Sequence, residues 1–273
     1  MGKFDGVLIC TDLDGTLYKD DKTVSAENRD AIEYFKREGG LFTFITGRMP
    51  YYSMEAYRAA SPNVPFGCVN GSGVYDGTAG EYVWKQEISH NVMEIVRCIE
   101  KEIPTVGIQV VAFERTWFLK ENETMANFRA LTGVPFVSCT YDNLPASFAK
   151  IVFGAARESE ILAIEDVFKR HPLSADFDFV RSEKTLCEIL PKGTHKGVSL
   201  AKLTEYLGVD PAKTIAVGDY NNDVGMLRAA GLGVAVANAS PAAMAAADVV
   251  TVSNEEHAIA QVIADLESGK YVL

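Results

Sequence analysis

Two carboxylates close a short apolar run near the N-terminus, Val7-Leu8-Ile9-Cys10-Thr11-Asp12-Leu13-Asp14-Gly15-Thr16-Leu17. Asp12 and Asp14 are two apart, so in extended chain their side chains point the same way. The continuous β-prone run reads as a strand buried on both faces, and Gly15 permits a sharp exit from its end. A buried strand that delivers two acids to its tip makes a site for a cation, for proton transfer, or for both. A second buried run, Thr214 to Gly218, ends in the same way, with Asp219-Tyr220-Asn221-Asn222-Asp223. A third, Leu41 to Ile45, ends in a hydroxyl, a glycine and a cation: Thr46, Gly47 and Arg48. Lys196 falls in the first turn of a helix predicted over Thr194 to Leu207. The positive end of the helix dipole disfavours a cation there unless an anion lies nearby.

The elements that must carry these residues alternate. After the first strand a helix is predicted from the N-cap Ser25 to Gly39, then the strand at 41, a helix over Tyr51 to Ala60, and a strand at Pro65 to Asn70. The alternation resumes with the strand at 214, a helix to about Ala230, strands at Gly233 to Val236 and Val249 to Val252, and a closing helix. Such a pattern predicts an α/β core with a doubly wound, Rossmann-like parallel sheet, which binds ligands at its C-terminal strand ends. From about Tyr82 to Leu186 the pattern changes. A helical stripe of Val92, Ile95, Val96 and Ile99 is followed by strands that come in pairs as often as they alternate with helices. Roughly 150 residues separate Thr46 from Lys196, far more than an α/β connection needs. The expected organisation is a core of residues 1–81 and 187–273 with an α+β cap, 82–186, inserted after the third strand.

Composition bounds the function. The 273 residues are 48% hydrophobic and 23% charged, which suffices for a large domain or a domain with an insert. With 26 basic against 37 acidic residues, the net charge of −11 argues against non-specific nucleic-acid binding. An anionic substrate is still compatible, because a bound metal and a few cations can dominate locally. The apolar stretch from Ala229 to Val252 is broken by Asn238, Pro241 and Asp248, too often for a membrane span. Cys10, Cys68, Cys98, Cys139 and Cys187 are odd in number and form no CxxC pair. No basic-then-apolar leader is evident, so the expectation is a reducing, cytoplasmic setting. Rival motifs fail on single residues. Gly71-Ser72-Gly73-Val74-Tyr75-Asp76 has an acid where a dinucleotide fingerprint needs its third glycine. The acidic run at 219 has Val224 and Ala230 where a calcium-binding EF-hand loop needs Gly and Glu.

Taken in order, Asp12-Leu13-Asp14-Gly15-Thr16, Thr46, Lys196 and Gly218-Asp219-Tyr220-Asn221-Asn222-Asp223 resemble the haloacid dehalogenase-like superfamily. Its motifs read DxDGT, a Ser or Thr after the second strand, a Lys, and GDxxND. The place of the insert, Asn70-Gly71 and the strand Glu188-Ile189-Leu190 before Lys196 are similar to one subclass. That subclass holds the Cof-type sugar phosphatases, the sucrose- and trehalose-phosphate phosphatases and the eukaryotic phosphomannomutases.

The expected chemistry is Mg²⁺-dependent hydrolysis of a small phosphorylated metabolite, a sugar phosphate by preference. Asp12 and Asp219 can converge on the metal from neighbouring strand ends, and the resemblance adds the main-chain carbonyl of Asp14. Asp12 is then the nucleophile that becomes a phosphoaspartate, and Asp14 the acid and later the base. Thr46, Gly47, Asn222 and Lys196 are expected to hold the phosphoryl group, with Asp223 orienting Lys196 or a metal-bound water. His195 reads as an exposed helix-start residue. Arg48 reads equally as a phosphate contact or a surface cation. Two alternatives keep the same acids: a phosphomutase, which returns the phosphoryl group to substrate, and a receiver-like phospho-aspartate switch, which is not an enzyme. No nucleic-acid or membrane partner is expected.

Overall fold

The computed structural model describes residues 2–182 and 184–273, residue 132 by its backbone alone. The chain divides into two compact units, residues 1–85 with 195–273, and residues 86–194.

The first unit begins with β1 (Leu8–Thr11), α1 (Ala26–Arg37), β2 (Leu41–Phe44), α2 (Pro50–Ala60), β3 (Phe66–Cys68), β4 (Gly73–Asp76) and β5 (Glu81–Lys85). The second unit holds α3 (Val92–Glu102), β6 (Gly107–Ala112), β7 (Thr116–Lys120), α4 (Glu123–Thr132), β8 (Phe148–Gly154), α5 (Glu158–Arg170), β9 (Phe177–Arg181) and β10 (Leu186–Pro191). The chain then returns to the first with α6 (Lys196–Leu207), β11 (Thr214–Gly218), α7 (Val224–Ala229), β12 (Leu232–Ala235), α8 (Pro241–Ala246), β13 (Val249–Val250) and α9 (Ala258–Glu267).

In the first unit five strands form a parallel sheet in the order β13-β12-β11-β1-β2. Every residue of β1 is buried, as a strand covered on both faces requires. Ser25 caps α1 by accepting from Asn28 N. The side chain of Asn28 in turn accepts from Ala260 N, fastening α1 to α9. On the other connections α6 packs on α7, and α7 on α8. This is the doubly wound α/β arrangement. The strand order reverses at β1, with β2 on one side and β11, β12 and β13 on the other. The crevice for a ligand therefore opens at the C-terminal ends of β1 and its neighbours.

Two sequence expectations shift. Residues 65–70 read as a third strand of the parallel sheet, but β3 makes a single parallel bridge to the β2 strand line, Ile45 to Gly67, beside the stacked rings of Phe44 and Phe66. It pairs instead with β4, and β4 with β5, in a three-stranded antiparallel sheet. That pairing keeps residues 82–85 in the first unit. At the other end β10 pairs with β8 and β9, so residues 187–191 belong to the second unit and not to the core. A strand follows its pairing partners, and those partners are not written in its own residues.

The second unit is an antiparallel sheet in the order β7-β6-β8-β10-β9. Its core gathers Val92, Ile95, Val96 and Ile99 of α3 with Ile161, Ile164 and Phe168 of α5 and alternate residues of β6, β8 and β10. It is an α+β cap domain inserted between β5 and α6. Among the described residues no helix is long and apolar enough to cross a membrane.

Candidate active site

The site is built where β1 and β11 end side by side. Past Thr11 the chain stays bonded to β11, Asp12 N donating to Val217 O at 2.8 Å. It then turns sharply, and Tyr18 N returns to Leu13 O at 2.8 Å. Gly15 sits in this turn at φ 78°, and a Cβ there would lie 2.6 Å from Asp219 Oδ2. Only a glycine lets the turn close on the acid that follows β11. Thr16 Oγ1 donates to Asp219 Oδ1 at 2.8 Å, stitching the two strand ends together.

Lys196 enters from the first turn of α6, where the ring of His195 accepts from Gly197 N. Its Nζ donates to Asp12 Oδ1 and to Asp223 Oδ1, both at 2.6 Å. These are the anions that a cation at a helix start requires. Lys196 is 1% exposed and Asp223 is fully buried. Such buried charges persist only when paired and hydrogen-bonded. Asp223 is satisfied on both oxygens, since its Oδ2 accepts from Asp219 N and Tyr220 N at 2.9 Å each.

Three carboxylates thus face one ammonium. Burial pushes the Asp12 carboxyl up, the nearby Asp223 adds to this, and the pairing with Lys196 offsets it only in part. Burial likewise raises Asp219, to about 6. Burial works against charge on Lys196 too, yet Asp12 and Asp223 outweigh it and hold the ammonium well above its usual range. Both members of the Lys196–Asp12 pair move upward, Asp12 chiefly through burial and Lys196 through the two carboxylates it faces.

The donor set suits a hard divalent cation. One oxygen from each of Asp12, Asp219 and Asp223 lies within 4.8 Å of the others. All donors are carboxylate oxygens, the class that Mg²⁺ prefers. Both oxygens of Asp223 are already engaged. Among the described residues, Oδ2 of Asp12 and of Asp219 carry no hydrogen bond, so these two can be given to a metal.

The side chain of Asp14 is not part of this cluster. Expected alongside Asp12, it is engaged elsewhere, because the chain leaves the extended conformation after Asp12. Its carboxylate meets Arg48 Nη2 at 2.6 Å and Lys22 Nζ at 3.0 Å. Burial pushes the Asp14 carboxyl up, but Arg48 and Lys22 outweigh it and hold it below the usual carboxylate range.

Thr46 and Gly47 follow β2, beside Asp12 in the sheet order. Thr46 is buried, its hydroxyl accepting from Arg48 N at 3.3 Å. Asn222 Nδ2 reaches Asn70 Oδ1 at 3.4 Å. Three participants escape a reading of the sequence. Thr16 was visible only as part of a motif, Lys22 lies in an ordinary polar loop, and Asn70 was visible only as an Asn-Gly pair at a strand end. Arg48, balanced between two readings, pairs with Asp14.

Comparison with known proteins identifies the family. A family profile described as haloacid dehalogenase-like hydrolase matches residues 9–263. The 5-amino-6-(5-phospho-D-ribitylamino)uracil phosphatase YitU of Bacillus subtilis (strain 168) is 30% identical over 263 residues, covering 93% of this chain and 95% of its own. A haloacid dehalogenase-like hydrolase from Bacteroides thetaiotaomicron superposes with a TM-score of 0.83 at 22% identity, over 97% of this chain and 100% of its own. The HAD subclass IIB sugar phosphatase BT4131 superposes with a TM-score of 0.80 at 20% identity, over 95% and 98%. At those identities the structural likeness speaks for the fold alone. The extent of the profile match and the full-length relative decide the matter: the chain is a hydrolase and belongs to the haloacid dehalogenase-like family.

Proposed function

We propose that this hydrolase is a phosphoric monoester hydrolase, a Mg²⁺-dependent phosphatase that acts on a small phosphorylated metabolite through an aspartyl phosphate on Asp12. The observation that carries this reading is the ammonium of Lys196 set between Asp12 and Asp223 at 2.6 Å from each. A phosphate monoester is a dianion, so a carboxylate can attack it only inside neutralising charge. Lys196 supplies part of that charge at Asp12 Oδ1. A bound Mg²⁺ would supply more, acting as a Lewis acid on the phosphoryl oxygens, with Asp12, Asp219 and the Asp14 carbonyl as its protein ligands.

The chain's own residues do the rest. The Asp12 carboxylate attacks phosphorus through the oxygen not given to the metal, the ester P–O bond breaks, and the leaving oxygen takes a proton from Asp14. Water then attacks the phosphorus of the Asp12 ester and gives its proton to the Asp14 carboxylate. Inorganic phosphate leaves and Asp12 is restored. Thr46, the Gly47 amide and Asn222 hold phosphoryl oxygens, while Asp223 holds Lys196 in place. Paired with Arg48 and Lys22, Asp14 has the ionised form that the second step needs. For the first step it must gain a proton, which requires those cations to loosen as the phosphate dianion draws them away.

A phosphorylated sugar or sugar alcohol is the favoured substrate. The relative YitU is named for a ribityl phosphate and the neighbour BT4131 for sugar phosphates. The five free cysteines suit a reducing cytoplasm. The test is phosphate release from a panel of sugar phosphates, with Mg²⁺ and after EDTA. Turnover should vanish with EDTA and return with Mg²⁺. Full activity in metal-free buffer removes the metal from the reading. Transfer of the phosphoryl group to a second sugar phosphate, with no phosphate released, makes the protein a mutase.

A further inference from the structure

Three consecutive residues after β3 lie in the left-handed region: Val69 at φ 54°, Asn70 at 53° and Gly71 at 112°. Glycine enters this region freely and asparagine at small cost, but a β-branched residue there is an outlier that its surroundings must hold. Strain of this kind gathers at functional sites, and the inference runs from the outlier to the role.

The surroundings that hold it are the elements of the candidate active site. Val69 N donates to Arg48 O at 3.0 Å, and Asn70 N to Thr46 O at 3.1 Å. These two carbonyls flank Gly47. The side chain of Asn70 reaches the same loop, since a Cβ on Gly47 would lie 2.8 Å from Asn70 Oδ1. That oxygen is also the one that Asn222 Nδ2 approaches at 3.4 Å. Gly71 packs against the carbonyl of His195, with no room for a Cβ, at the residue before Lys196. One strained turn therefore touches the loop after β2, the loop after β11 and the start of α6.

We propose that Asn70 is a positioning residue. From the left-handed turn its side-chain oxygen sets Gly47 and Asn222 about a single point, so that both amides converge on a phosphoryl group. The inference deepens the proposed function and rests on it for the identity of that group. If Asn70 served only to make the turn, glycine would replace it without loss, because glycine adopts the same backbone conformation.

The test is Asn70→Gly, with Asn70→Ala as contrast. Asn70→Gly should melt close to wild type, while Asn70→Ala, strained at positive φ, should melt lower. In ¹⁵N correlation spectra of the metal-free protein, Asn70→Gly should move the Gly47 amide and the Asn222 side-chain NH₂ resonances. With Mg²⁺ and p-nitrophenyl phosphate its kcat/KM should fall roughly 10- to 100-fold, as a misplacement of about an ångström does. Should Asn70→Gly not fold, Asn222→Ala breaks the same contact from the other side, and the Gly47 resonance must move with it. Unmoved resonances overturn the proposal, and so does unchanged kcat/KM in a folded Asn70→Gly protein. If the resonances move but the wild type releases no phosphate from any ester, the proposed function fails and the positioning role stands.

Discussion

Lys196 and Asp12 lie 184 positions apart in sequence and meet at 2.6 Å in a buried ion pair. The second unit of the chain is spliced between them. Asp223 completes the arrangement on the other side of the ammonium. Two carboxylates depend on one lysine, and this dependence sets both the charge of the site and its cost to stability.

Removing the lysine should therefore be felt twice. Lys196→Met leaves Asp12 and Asp223 buried without their cation, a change that costs about 3–5 kcal/mol in comparable pairs. The loss should be greatest at pH 7.5 and smaller at pH 5, where Asp12 can take a proton instead. Urea unfolding at the two pH values measures it. Activity should drop by about 10²–10³ or more. A stability loss that does not depend on pH would mean that the carboxylates are not what Lys196 neutralises.

The acid pair makes the metal-free protein sensitive to pH. Asp219 has an ordinary value near 3.8 raised to about 6 in the fold, and Asp12 is raised as well. A group raised on folding binds its proton more tightly in the native state. Its stabilising effect is complete below pH 3.8 and is lost as the pH climbs through about 6. The proposed Mg²⁺ would bind the deprotonated form of these acids, so the rise in Tm on adding Mg²⁺ should be larger at pH 8 than at pH 5. Differential scanning fluorimetry at both values reads this directly. A Mg²⁺ shift independent of pH would place the ion elsewhere.

How much of this was legible in the sequence varies residue by residue. Asp12, Thr46 and Asp219 could be placed because a parallel sheet collects its C-terminal strand ends on one edge, and hydrophobic runs mark where strands end. Lys196 announced itself by standing at the unfavourable end of a helix. The ion pairs of Asp14 with Arg48 and Lys22 were not legible, because alternation holds only in extended chain, and the chain turns at Leu13. The limits of the inserted unit were misplaced because β5 and β10 look alike in composition, while strand pairing alone assigns them to different sheets. Lys22 and Asn70 lie in turns, where function depends on where a backbone bends.

Lys22 should tune the reaction through Asp14. With Arg48 it holds that carboxyl below its ordinary range. Lys22→Met removes one of the two cations, raises the Asp14 pKa and leaves more of it protonated at a given pH. With a sugar phosphate, whose leaving oxygen needs a proton, the alkaline limb of the kcat profile should move to higher pH. With p-nitrophenyl phosphate it should move little. An equal shift for both substrates would show that Lys22 does not act through the acid step.

The most direct test of the account is to catch the phosphoryl group on its carrier. Asp14→Asn keeps the nucleophile but cannot activate water. With Mg²⁺ and p-nitrophenyl phosphate it should give a rapid burst and then near-arrest. Intact mass spectrometry should find one added phosphoryl group, and peptide mapping should place it on Asp12. Asp12→Asn, with no carboxylate to attack, should stay unmodified. A phosphoryl group on the Asp12→Asn protein, or on any residue other than Asp12 in the Asp14→Asn protein, would contradict the assignment of Asp12 as the nucleophile.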